Sequence, residues 1–189
     1  MAWLLAACAR PTPVPPSPTP TITVPPLPTR GPTATLAAAR LAPAPQQGRP
    51  APDFTAVDLH GQPRTLSQTR GQPLVLNFWA TWCPPCVEEL PMLADYARRL
   101  QGRVTFVALN VDEGPTRVQR FVDEMGLDTA ALQVWRDATG TLALEYRVTG
   151  FPTTFFLDEA GVIRAIRVGG MTEPELQAGL RALGVEVAP

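Results

Sequence analysis

The chain has 189 residues, a formal net charge of −1 and three cysteines. A near-neutral balance argues against nucleic acid or an anionic membrane surface as an electrostatic partner, and so few cysteines exclude a disulfide-built scaffold. A four-ligand zinc site would need Cys8, Cys83, Cys86 and the single His60 together, without the paired spacing such sites show, so neither metal nor other cofactor is expected.

The overall charge hides an asymmetry. Residues 1–52 hold four arginines and no acidic residue, while the remainder carries 12 basic and 17 acidic side chains, a net −5; 14 of the 23 prolines also lie in residues 1–52. Residues 1–8 form a short apolar run ending Leu5-Ala6-Ala7-Cys8. That string is similar to the lipobox of bacterial lipoproteins, which implies lipidation of Cys8 after removal of the residues before it, although no positive n-region precedes it. Residues 9–50 are rich in Pro, Thr and Ala with few large apolar side chains. They are read as a disordered, partly polyproline tether that cannot bury enough surface to fold.

From residue 51 to 189 the composition is globular. Phe54–Val57 and Arg64–Leu66 flank a Gly-containing turn, a hairpin signal, with His60 at the turn and given no role. The continuous apolar run Leu74–Trp79 reads as a strand covered on both faces. It leads at once into Trp82-Cys83-Pro84-Pro85-Cys86, a C-x-x-C that opens a helix. Unsatisfied N–H groups and about half a positive charge at a helix N-terminus stabilise a thiolate there, and prolines suit a first turn that has no donors to lose. Cys86, Leu90, Leu93, Ala97 and Leu100 then trace one helical stripe, interrupted by Pro91, which predicts a kink.

Val104–Leu109 predicts the next strand and Asn110–Pro115 a loop. Val118, Phe121, Val122 and Met125 mark a second helix ending at Gly126. Leu132–Trp135 is a short strand candidate, and Thr139–Tyr146 a short helix. Thr153–Leu157 and Val162–Val168 around Asp158-Glu159-Ala160-Gly161 predict an antiparallel hairpin. Thr172 with Glu175 is a capping box opening a last helix, with Gly184 as its stop. Hairpin, β-α-β-α, then β-β-α predicts an α/β fold: a mixed sheet layered between helices.

The motif, the strand before it, Pro91 and Gly150-Phe151-Pro152-Thr153 together resemble thioredoxin-like proteins. Asn77-Phe78-Trp79-Ala80-Thr81-Trp82-Cys83, Glu89-Leu90-Pro91 and the helix and strand near residues 115–135 resemble, more finely, the membrane-anchored TlpA/ResA branch of thiol-disulfide oxidoreductases. The resemblance spans about residues 51–184 and implies a thioredoxin-like fold carrying an N-terminal β-hairpin and a central helix-strand insertion. It implies that Cys83 is the exposed nucleophile and Cys86 the resolving thiol. It also implies that Pro152 is a cis-proline whose preceding residue, Phe151, pairs with an extended substrate chain, with Trp82 shielding the sulfurs and Trp79 in the core.

Glu89, three residues past Cys86, follows on the same helix face. A carboxyl buried near the sulfurs would have a raised pKa and could exchange protons with Cys86; Asn77 stands where thioredoxins proper carry an acid. The resemblance further implies a monomeric, extracytoplasmic protein-disulfide reductase. Its electrons would come from a membrane thiol-transfer protein, and its substrates would be oxidised protein cysteines such as those of apocytochrome c. Two alternatives stay open. One is a peroxiredoxin-like peroxidase, although Leu76 and Ala80 stand where that family has proline and threonine. The other is a binding lipoprotein of the same fold without a redox cycle.

Overall fold

A computed structural model describes residues 42–187. Cys8 and most of the tether lie outside the described residues. Seven strands form one sheet: β1 (Thr55–Asp58), β2 (Pro63–Thr65), β3 (Leu74–Trp79), β4 (Thr105–Val111), β5 (Leu132–Asp137), β6 (Thr153–Leu157) and β7 (Ile163–Val168). They lie in the order β2-β1-β5-β4-β3-β6-β7. β3 runs parallel to β4, and β4 to β5, whereas the N-terminal hairpin and the β6–β7 hairpin join antiparallel at the two sides. The sheet is mixed, as the element order predicts.

The helices are α1 (Pro84–Arg99), α2 (Pro115–Met125), α3 (Thr141–Glu145) and α4 (Glu173–Ala182). Alternate residues along a strand point to opposite faces, and the two cores obey that period. Val75, Trp79, Phe106, Ala108 and Phe156 pack with Leu90 and Leu93 of α1, Val118 of α2 and Leu176 of α4. Leu74, Leu76, Phe78, Val107, Leu109 and Phe155 pack on the other side with Ala143 of α3, Tyr146 and Phe54. β3 is buried along its whole length, which accounts for its unbroken apolar sequence, and Trp79 lies in the core as expected.

Several local expectations are met. Gly61 holds the first hairpin turn at φ +76°, and Gly126 caps α2 at φ +60°, both in the left-handed region that favours glycine. Glu175 accepts from the backbone N–H and the hydroxyl of Thr172, each at 2.8 Å.

Three features depart from the sequence reading. β4 runs on through Asn110 and Val111, so the loop starts only at Asp112. β5 is a full strand ending at Asp137 and lies between β4 and β1. Its polar end reads as loop in sequence, yet Asp137 is buried and its carboxylate accepts from Ala143 N–H at 3.0 Å, closing the first turn of α3. Finally, residues 44–50, tether-like by composition, bond to the folded part. Gly48 N–H donates to Ile163 O at 2.8 Å, Ile163 N–H donates to Arg49 O at 2.9 Å, and Pro50 bridges Val162. Proline is admissible there because this strip lies at a sheet edge.

Candidate active site

Cys83 is the N-cap of α1, with extended backbone, and Pro84 and Pro85 fill the first helical positions. Cys83 and Cys86 are joined as a disulfide. The Cys86 N–H points at Cys83 Sγ, 3.3 Å away. That free helix-end donor would stabilise negative charge on Cys83 once the bond is reduced. No acidic side chain occupies the first turn of α1 to oppose it.

The expected exposed nucleophile is not exposed in the disulfide form: Cys83 retains 3% of its surface and Cys86 none. Cys83 is packed within the cluster that includes Trp79, Ala80, Cys86 and Met171, with Phe151 against it. Pro84 and Pro85 are the exposed part of the motif. Trp82 is 61% exposed, so it is not a lid pressed over the sulfurs; its ring meets that of Phe151 edge-on with centroids 5.7 Å apart. The Phe151–Pro152 peptide bond is cis. Trp82 is thus exposed beside Phe151, which packs on the cluster holding both cysteines, while Pro152 itself is buried.

Glu89 is buried, 4% exposed, whereas Glu88 is exposed. One of its oxygens accepts from Asn77 Nδ2 at 2.7 Å and the other from Met171 N–H at 2.8 Å. Asn77 Nδ2 also donates to Thr154 Oγ1 at 2.9 Å. Asn77 has the strand parity of Val75 and Trp79, so it faces α1 where Glu89 descends. Burial pushes the Glu89 carboxyl up to about 7, while the two hydrogen bonds and the charge of Arg167 pull the other way. Such a carboxyl is partly protonated near neutrality and can either give or take a proton.

One buried acid next to the motif is absent from the sequence reading. Glu113 accepts from Thr81 N–H at 2.7 Å, Thr81 Oγ1 at 2.5 Å and Asn110 Nδ2 at 2.7 Å, and pairs with Arg117 Nε at 2.9 Å. It thus ties the turn that carries Trp82 and Cys83 to the β4–α2 loop. An acid in an apparent loop is ordinarily solvated, so only the extension of β4 to Val111 could have suggested its burial.

The sequence pattern described as the AhpC/TSA family matches residues 47–166. The chain is 34% identical to the thiol-disulfide oxidoreductase ResA of Geobacillus kaustophilus over 137 residues, covering 72% of this chain and 77% of that one. A thiol:disulfide interchange protein of the thioredoxin family from Chlorobium tepidum superposes with a TM-score of 0.63 at 29% identity, over 74% of this chain and 99% of that one. The exposed lipoprotein thioredoxin of Streptococcus pneumoniae superposes with a TM-score of 0.60 at 25% identity, over 69% and 98%.

Proposed function

Because this chain belongs to the AhpC/TSA family and, by its likeness to ResA, to the thiol-disulfide oxidoreductases, we propose that it reduces oxidised protein cysteines outside the cytoplasm. The observation that carries this reading is Glu89, a buried carboxyl pushed up to about 7 by its burial and one turn along α1 from the cysteine pair at the helix N-terminus. In the reducing cycle the Cys83 thiolate attacks a substrate disulfide, forming a mixed disulfide and releasing one substrate thiolate. Cys86 then gives its proton to Glu89, and its thiolate attacks Cys83 Sγ, releasing the second substrate thiolate and leaving the Cys83–Cys86 disulfide. Two electrons pass to the substrate.

Trp82, Phe151 and Pro152 form the docking surface, where the backbone of Phe151 pairs with an extended substrate segment. A membrane thiol-transfer protein returns the electrons, and the apocytochrome c cysteine pair is the substrate class proposed. The domain acts as a monomer. Residues 1–8 supply a lipidated Cys8, and the chain from residue 9 up to the paired strip at residues 44–50 is the tether from membrane to domain; the likeness to a pneumococcal protein described as an exposed lipoprotein supports this placement.

The reduction potential of the Cys83–Cys86 couple tests the direction. A value near about −270 mV is expected, and one near about −120 mV, the strong-oxidant end of the range, would overturn the reductant reading. Of the alternatives, a peroxidase would need polar groups around Cys83. In this chain Ala80, within the cluster that holds Cys83, offers none, and Leu76 stands on the other face of the sheet where that family carries proline.

A further inference from the structure

Arg167 has the outward features of a surface ion pair. Its Nη2 lies 3.0 Å from Glu175 Oε1, and both side chains are 41% exposed. Such pairs contribute little by themselves. Two further observations set this arginine apart. Its Nε is buried with no hydrogen-bond acceptor among the described residues. Its Nη2 also donates to the carbonyl of Gly170 at 3.1 Å.

The Gly170 carbonyl and the Met171 N–H belong to one peptide group, and that N–H donates to Glu89 Oε2 at 2.8 Å. A single amide therefore links guanidinium to carboxylate. A cation bonded to the carbonyl draws electron density from the amide and strengthens its N–H as a donor, since bonds in a chain polarise one another. A stronger donor, together with the positive charge itself, favours the ionised carboxyl. The same amide is pressed against the redox motif: a Cβ at Gly170 would come 3.1 Å from Pro85 Cβ.

Sheet register brings Arg167 to this place. Asn77 lies opposite Thr154, and Thr154 opposite Arg167, so the three form one row across β3, β6 and β7. Glu89 is bonded directly by the first member of the row and through the Gly170–Met171 amide by the last. Among the described residues, the charged group acting on Glu89 is Arg167 on β7, with Glu175 on α4 beyond it; after reduction the thiol of Cys86, one turn back on α1, and that of Cys83 at its N-cap also titrate.

We infer that Arg167 is a positioning residue that sets the proton affinity of Glu89 through the Gly170–Met171 peptide, with Glu175 moderating its charge. This deepens the proposed proton-carrying role of Glu89 and is tested separately from it. Isotope-labelled glutamate side chains are followed by NMR against pH in the oxidised protein, where the cysteines do not titrate. The Glu89 signal is identified by its loss in Glu89→Gln.

Arg167→Gln is expected to raise the Glu89 midpoint by roughly half to one pH unit, a charge effect reduced by the arginine's partial exposure. An unchanged or lowered midpoint overturns the inference. Should Arg167→Gln fail to fold, Glu175→Gln decides. Removing the moderating carboxylate leaves the helix cap an amide oxygen and should lower the Glu89 midpoint; no change, or a rise, would overturn it. If instead the exchange activity of Glu89→Gln kept the parent pH profile, the proton-carrier reading would fall while this titration stood.

Discussion

The burial of Glu89 couples its proton affinity to the stability of the fold. Its carboxyl is raised from 4.5 to about 7 in the folded chain, so between these values the folded state holds a proton that the unfolded state has lost. Stability from this group is full below about pH 4.5 and falls as pH rises toward 7. At about 1.4 kcal/mol per unit the loss approaches roughly 3 kcal/mol. The oxidised Glu89→Gln variant, with no proton to lose, should therefore gain on the parent as pH rises from 4 to 8 in urea unfolding. A constant difference between the two proteins across that range would contradict the burial argument. Glu113 differs in kind: four donors converge on it, so it holds the turn before Cys83 through matched partners.

At the scale of elements, the close seat of α4 on the sheet depends on Gly179. A Cβ there would stand 2.2 Å from Cε1 of Phe156, a fully packed ring of β6. Helix propensity favours alanine over glycine by about 1 kcal/mol, yet pushing a buried ring aside costs roughly 1–3 kcal/mol, occasionally more. Gly179→Ala is accordingly expected to lower the midpoint of chemical unfolding; an increase would show that α4 can lift away without penalty. The consequence reaches the site, because Glu175 of the same helix pairs with Arg167, which holds the peptide bonded to Glu89.

For the whole molecule, the edge strip at residues 48–50 decides where the chain leaves the sheet. Its bonds to Ile163 and its bridge to Val162 predict that a chain beginning at residue 51 is less stable than one beginning at residue 42, by on the order of 1–3 kcal/mol for the few bonds lost. Equal unfolding midpoints would mean that the strip adheres without contributing. Composition could not reveal this pairing, because a Pro-rich segment looks the same to local patterns whether it hangs free or lies along an edge.

The motif on its helix end, the buried β3, both hairpins and the caps at Gly126 and Thr172 were readable from sequence, since each rests on neighbours within a turn or strand, whereas the cis bond before Pro152 was expected only from the family resemblance. Tertiary structure decided what depends on distant partners. The length of β5 follows from its seat between β1 and β4, the burial of Glu113 from the Thr81 turn packed on it, and the low exposure of Cys83 from the cluster around it. The reach of Arg167 to Glu89 follows from a register across three strands far apart in the chain. Local spacing specifies which groups can do chemistry; the environment that sets their proton affinity is assembled only when the sheet closes over them.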